Sequence, residues 1–198
     1  QGALYDAAVG EALDRIAHAE GIVRRGLVLA LLTSLKQICN HPAHYLDDGS
    51  ALDGRSAKLE AFDDLIDSAS EARSDDRSEP TLVFTQYVVM AKLLASHLSE
   101  RGISHAILHG SLSPTERQRL TDEFQAGHID VLVCSLRAAG TGLTLTRATQ
   151  VIHYDRWWNP AVEDQATDRA HRIGQDRPVT VYRLVARDTI EDAVLSLH

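Results

Sequence analysis

Along the first third of the chain, apolar residues recur at helical spacing, and from residue 81 onward they gather into short unbroken runs set between amphipathic stretches. The stretches "LYDAAVGEALDRIAHAE" and "RRGLVLALLTSLKQICN" predict two helices, the second stopping at Asn40 because Pro42 cannot continue it. A third helix is predicted over "SAKLEAFDDLIDSASEAR", with Ser56 as its cap. The polar run "SDDRSEP" after it reads as a surface connection that tolerates insertion.

Beyond that connection the pattern alternates. "TLVFT" predicts a strand, "YVVMAKLLASHLSER" a helix closed by Gly102, and "ISHAILH" a second strand. In "SPTERQRLTDEFQAG", Ser113 is the expected cap, Pro114 the first helical residue, Glu116 the partner of a capping box, and Gly127 the stop. "DVLVCS", "QVIHY" and "VTVYRLV" predict three more strands. A glycine-bearing loop separates the first two of these, and a helix over "DQATDRAHRIGQ" separates the last two. Strands alternating with helices imply an α/β fold, a mostly parallel sheet with helices on both faces. The expected organisation is a helical segment over residues 1–55 and an α/β lobe over 56–198. The lobe breaks off within the amphipathic "EDAVLSLH", and the first residue is Gln1, so the chain reads as a piece of something longer.

Composition narrows the class. A chain of 198 residues that is 44% hydrophobic can bury a real core. The apolar run "GLVLALL" is too short to cross a bilayer, and nothing at the start resembles a signal segment. Cys39 and Cys134 lack CxxC spacing, which suits reduced, buried thiols rather than a disulfide framework. The net charge of -8 argues against a protein that coats nucleic acid. The charge is uneven, however: residues 51–130 hold 14 acids to 8 bases, whereas 131–198 hold 8 of each, every base there being arginine. An anion site is therefore expected in the last third.

Three stretches are candidates for chemistry. On a continuous helix Gln165, Arg169 and Arg172 fall at i, i+4 and i+7 and leave one face within roughly sixty degrees, beside a burial stripe of Val162, Ala166, Ala170 and Ile173. The loop "SLRAAGTGLTLT" lies beyond the carboxyl end of a strand, where this fold class binds ligands. Its Gly140-Thr141-Gly142 reads as a tight turn, because Leu145 stands where a dinucleotide fingerprint needs its third glycine. No GxxxxGK[ST] occurs, so the chain has no phosphate cradle of its own and would act on a nucleotide only together with another domain. Cys39, His41 and His44 have short metal-ligand spacing, but no fourth ligand is evident and no metal is expected.

The blocks "LTSLKQICNHP", "LVFTQY", "LHGSLSPTERQRLTDEFQAG", "SLRAAGTGLTLTRATQVIHYDRWWNP" and "DQATDRAHRIGQDRPVTVYRLVARDTIED" resemble the C-terminal RecA-like lobe of the Swi/Snf family of DNA-dependent ATPases, within the superfamily-two helicases. The resemblance runs along nearly the whole chain and is most specific in "DRWWNP" followed by "DQATDRAHRIGQ". It implies a RecA-like lobe of an ATP-driven translocase on double-stranded DNA, preceded by the segment that leads from a first motor lobe. It further implies that Gln165, Arg169 and Arg172 close over ATP with Mg2+ held mainly by that first lobe, both arginines resembling fingers at the γ-phosphate. Such a guanidinium is worth roughly 10³ to 10⁵ in rate where it is best known.

Gly140, Thr141 and Gly142 match the family loop between the nucleotide cleft and the DNA track. Thr144 stands where many relatives have asparagine, and its hydroxyl can still donate to a phosphate. Thr85, Gln86, His109, Gly110 and Ser111 match blocks that touch the DNA backbone in relatives, contacts that position without reading bases. Trp158 matches a tryptophan that approaches the minor groove, and Trp157 is assigned to packing. The implied partners are the first RecA-like lobe of the same parent chain and duplex DNA, with no membrane and a monomeric fragment. The setting would be the nucleoid-containing cytoplasm of a bacterium or the nucleus of a eukaryote, and the excess of arginine over lysine favours the former. Two other readings stay open: a catalytically silent nucleic-acid-binding or regulatory module, and the lobe of a strand-separating helicase.

Overall fold

A computed structural model describes residues 1–74, 79–135, 143–171 and 174–195. The polar connection at 75–78, the turn at Gly140, Thr141 and Gly142, and Arg172 with Ile173 therefore lie outside the described residues. The chain divides into two compact units, Gln1–Ala61 with the chain from Val185 onward, and Phe62–Leu184. The first division falls inside α4 (Ala57–Ser74).

The first unit is helical. It holds α1 (Gly2–Ala17), α2 (Gly21–Asn40), α3 (Pro42–Leu46), the first turn of α4, and α8 (Ile190–Leu195). α2 ends where the sequence places it, since Pro42 drives His41 to an extended backbone (φ -168°, ψ 141°). His41 then caps α3, which the periodicity did not predict. Its Nδ1 accepts from the Ala43 N–H at 2.9 Å, and its Nε2 bonds the Leu52 carbonyl at 2.9 Å. Both ring nitrogens of this one-time candidate ligand are thus occupied by backbone. Ser56 Oγ donates to the Asn40 carbonyl at 2.9 Å and stands 3.4 Å from the Leu59 N–H as the cap of α4. Lys58 and Glu191 make a buried ion pair at 2.6 Å, with Lys58 Nζ also donating to Asn40 Oδ1 at 3.2 Å. Cys39 is buried and free, and burial pushes its thiol pKa up.

The second unit is an α/β lobe. Five parallel strands, β1 (Thr81–Thr85), β2 (His105–Leu108), β3 (Val131–Ser135), β4 (Gln150–His153) and β5 (Thr180–Arg183), lie in the order β2-β3-β1-β4-β5. β1, β3 and β4 are buried along their whole length, as unbroken apolar runs require in a sheet covered on both faces. Leu82, Phe84, Leu108, Phe124, Leu132, Val151 and Ala166 belong to one core cluster. Cys134 is buried in it, a free thiol whose pKa burial alone pushes up to about 12.

The connecting helices α5 (Val88–Glu100), α6 (Pro114–Ala126) and α7 (Pro160–Thr167) bear the expected punctuation. Ser113 and Glu116 form the capping box, Pro114 opens α6, and Gly127 closes it at φ 88°, a conformation that suits glycine. One expectation is corrected. The helix over "DQATDRAHRIGQ" stops at Thr167, and residues 168–170 form a turn in which Arg169 N–H bonds Ala166 O and Ala170 N–H bonds Thr167 O. Tertiary hydrogen bonds replace the next helical turn: Leu145 N–H takes the Arg169 carbonyl at 2.9 Å, and Gln175 Nε2 reaches the Thr146, Ala148 and Ala170 carbonyls at 2.7, 2.8 and 3.4 Å.

Candidate functional site

Because every strand is parallel, all five carboxyl ends open onto one edge of the sheet, the side on which such sheets place ligands. The register sets Phe84 beside His153 and Thr85 beside Ser135. Tyr154 N–H then bonds the Phe84 carbonyl, which carries Asp155 alongside Thr85.

Asp155 is fully buried and collects donors from the end of β1. The Thr85 hydroxyl donates to Oδ2, the Gln86 N–H donates to Oδ1 at 3.0 Å, and Gln86 Nε2 donates to Oδ1 at 2.9 Å. Gln86 Nε2 also reaches the Arg156 carbonyl at 2.7 Å, and the Thr85 hydroxyl accepts from the Tyr87 N–H at 3.2 Å. A carboxylate without solvent is stable only when such donors surround it. Thr85 is fully buried and Gln86 partly so. These two side chains therefore fasten the loop after β4, Thr85 from a fully buried position.

His109, Gly110 and Ser111 follow β2 on the outside of the same edge, Gly110 and Ser111 exposed and His109 partly so. His109 Nδ1 and Ser111 Oγ are 2.7 Å apart. Arg117, from α6, fixes the turn by donating to the Gly110 carbonyl at 2.5 Å and the Leu112 carbonyl at 3.0 Å. Thr144 is exposed, immediately before the buried Leu145 that holds the arginine turn.

The helix face expected to carry three polar side chains in register is divided. Gln165 is exposed on α7, whereas Arg169, beyond its end, is only 5% exposed. The two tryptophans separate as expected: Trp157 packs against the core cluster and Trp158 is 44% exposed. Asn159 caps α7 by accepting from the Ala161 N–H at 3.0 Å.

Three residues of this edge were not singled out from the sequence. Asp155 is the first. The second is Glu163, 1% exposed, which accepts from Arg156 Nε and the Trp157 N–H, each at 2.8 Å, and from Arg183 Nε at 3.3 Å. The third is His153, buried at the end of β4 with its ring stacked on Phe84 at 5.4 Å and its Nε2 2.9 Å from the Thr167 hydroxyl. Burial pushes its pKa down from 6.5 to about 4, with the Arg183 and Arg156 guanidiniums adding to it against Asp155 and Asp164. The available signal was a charged residue directly after an apolar strand, and an acid one turn into a helix flanked by arginines. Both patterns also occur on ordinary surfaces, and only contact separates the cases.

The helicase conserved C-terminal domain family matches residues 57–174. The chain is 45% identical over 197 residues to the "Putative ATP-dependent helicase/translocase YwqA" of Bacillus subtilis, covering 98% of the chain and 21% of that protein. It is 34% identical over 192 residues to the mouse "SWI/SNF-related matrix-associated actin-dependent regulator of chromatin subfamily A member 1", covering 91% and 18%. The chain thus spans about a fifth of the length of these curated relatives. Among solved structures, the "Sulfolobus solfataricus SWI2/SNF2 ATPase C-terminal domain" superimposes with a TM-score of 0.81 at 33% identity, covering 99% of this chain and 78% of that one. The "Sulfolobus solfataricus SWI2/SNF2 ATPase core in complex with dsDNA" gives 0.83 at 37%, covering 99% and 41%.

Proposed function

Because this chain belongs to the helicase conserved C-terminal domain family, in its SWI/SNF-related branch, we propose that it is the second motor lobe of an ATP-dependent translocase on double-stranded DNA. ATP and its Mg2+ would be held mainly by a first RecA-like lobe. Among the described residues no group of three or more His, Cys, Asp or Glu side chains comes together to hold an ion, and the chain has no GxxxxGK[ST]. This lobe would contribute Gln165, Arg169 and Arg172 to the phosphates, Gly140, Thr141 and Gly142 to the nucleotide side of the cleft, and Gln86, His109, Gly110, Ser111, Thr144 and Trp158 to the duplex backbone. Thr85 would serve by holding Asp155.

The observation that carries the reading is the bond from Leu145 N–H to the Arg169 carbonyl at 2.9 Å. It joins the loop after β3 to the arginine turn, so that what touches one is felt at the other. Arg169 is almost covered, and in this reading lobe closure swings its guanidinium out of the turn toward the γ-phosphate.

The test uses the full-length protein. Arg169→Ala and Arg172→Ala should each lower DNA-stimulated ATP hydrolysis by roughly 10³-fold, with nucleotide binding changed far less, because the charge acts on the transition state. Arg→Lys should fail nearly as badly, for an ammonium lacks the planar fork. Asp168→Ala should matter little. Turnover near the parent rate in both alanine variants would overturn the finger assignment and leave a docking module as the better reading.

A further inference from the structure

Resting on that motor reading, we infer that Glu163 is a positioning residue that couples the Trp157–Trp158 loop to the arginine turn. Its carboxylate is almost wholly buried, and each oxygen is engaged. Oε1 takes the Trp157 backbone N–H and Arg156 Nε, both at 2.8 Å, and Oε2 takes Arg183 Nε at 3.3 Å. Two guanidiniums converge on one carboxylate, with Arg183 also 3.5 Å from Asp164. The bond to the Trp157 N–H is the unusual one, because it ties main chain in the loop to the first turn of α7. Trp157 is partly buried and packs against the core cluster, and Trp158 beside it is exposed. A force on the Trp158 indole is therefore resisted at the backbone of residue 157, which is the atom that Glu163 holds.

From Glu163 the path is short. α7 is 8 residues long, about 12 Å at 1.5 Å per residue. Its far end, Thr167, is held by His153 Nε2 and leads directly into the turn whose Arg169 carbonyl is bonded by Leu145. A short helix tethered at both ends moves as a rigid body, so a displacement of the tryptophan loop reaches Arg169 without an intervening flexible link. Of the two arginines, Arg156 is nearly covered and Arg183 partly exposed.

The experiment is steady-state ATP hydrolysis by the full-length protein without DNA and with saturating duplex, on Glu163→Gln, Arg183→Gln, Trp158→Ala and the paired variants. Glu163→Gln should lower the DNA-stimulated kcat by about tenfold while leaving the KM for ATP unchanged. Combining it with Trp158→Ala should cost no more than the larger single change, since coupled residues are not additive. A side chain that only stabilises the fold would give losses that multiply. Arg183→Gln perturbs a partly exposed partner, should show the same non-additivity at smaller size, and decides the matter if Glu163→Gln does not fold. Multiplying losses, or full stimulation in both Glu163→Gln and Arg183→Gln, overturn the coupling. A parent protein whose hydrolysis ignores DNA overturns the motor reading instead, and the two failures are thereby distinct.

Discussion

His153 is an ionisable residue that burial keeps neutral well into the acid range. Its pKa falls from 6.5 to about 4, so the unfolded chain binds a proton below pH 6.5 that the native state refuses. The stability tied to this group is complete above about pH 6.5, declines as pH drops, and levels near pH 4 after a loss of about 3 kcal/mol. Urea midpoints for the parent should fall between pH 7 and 4.5, and His153→Gln, which keeps a hydrogen-bonding group toward Thr167, should flatten that fall. An equal fall in both proteins would show that other groups set the acid limit. Trp158 makes the opposite case, an indole left 44% exposed where burial would reward it. Trp158→Ala should shift unfolding by no more than about 0.5 kcal/mol, as surface changes do, yet slow DNA translocation markedly. A stability loss as large as the motor defect would return Trp158 to a packing role.

At the scale of elements, the cleanest energetic test lies in the helical unit. The Lys58–Glu191 pair is buried at 4% and 1% side-chain exposure and links the start of α4 with α8. Removing one partner leaves the other charge in a dry site, so Lys58→Met or Glu191→Gln should each cost about 3–5 kcal/mol in denaturant unfolding. Changing both together to apolar residues should cost less than either alone. Equal or greater loss in the double variant would mean that the pair adds net stability.

The helices also show what could be read in advance. α6 was legible to the residue, because Ser113, Pro114, Glu116 and Gly127 act on backbone groups within a few positions of themselves. α7 was not. Its period continues through Ile173, but the helix ends at Thr167, where Leu145, distant in sequence, takes the Arg169 carbonyl and Gln175 takes that of Ala170, carbonyls that a longer helix would have used.

For the whole molecule the net charge of -8 sets how duplex DNA would be met. With an acidic net charge and contacts expected only to the DNA backbone along one edge, affinity for DNA should be weak, indifferent to sequence and steeply reduced between 50 and 200 mM salt, as counterion release requires. Fluorescence titration with two unrelated duplexes checks this, and a tenfold preference for one of them would contradict it. The chain by itself should release no phosphate from ATP even with DNA present, since its sequence carries no phosphate-binding loop.

The sequence by itself determined most of what depends on local order, the short α3 excepted. The strand-and-helix alternation gave a parallel sheet, and the apolar runs of β1, β3 and β4 specified its buried centre. The tryptophan pair followed as well, because two adjacent side chains cannot face one interior. Only the tertiary structure decided what depends on strands brought side by side. Thr85 and Gln86 stand at a strand end with no local sign of a buried partner, yet β4 lies next to β1 and delivers Asp155, a buried carboxylate to which both donate. Glu163 likewise reads as a solvated acid until β5 brings Arg183 beside it. A buried charge must recruit partners wherever the fold supplies them, and the identity of those partners follows from strand order, which no local pattern encodes.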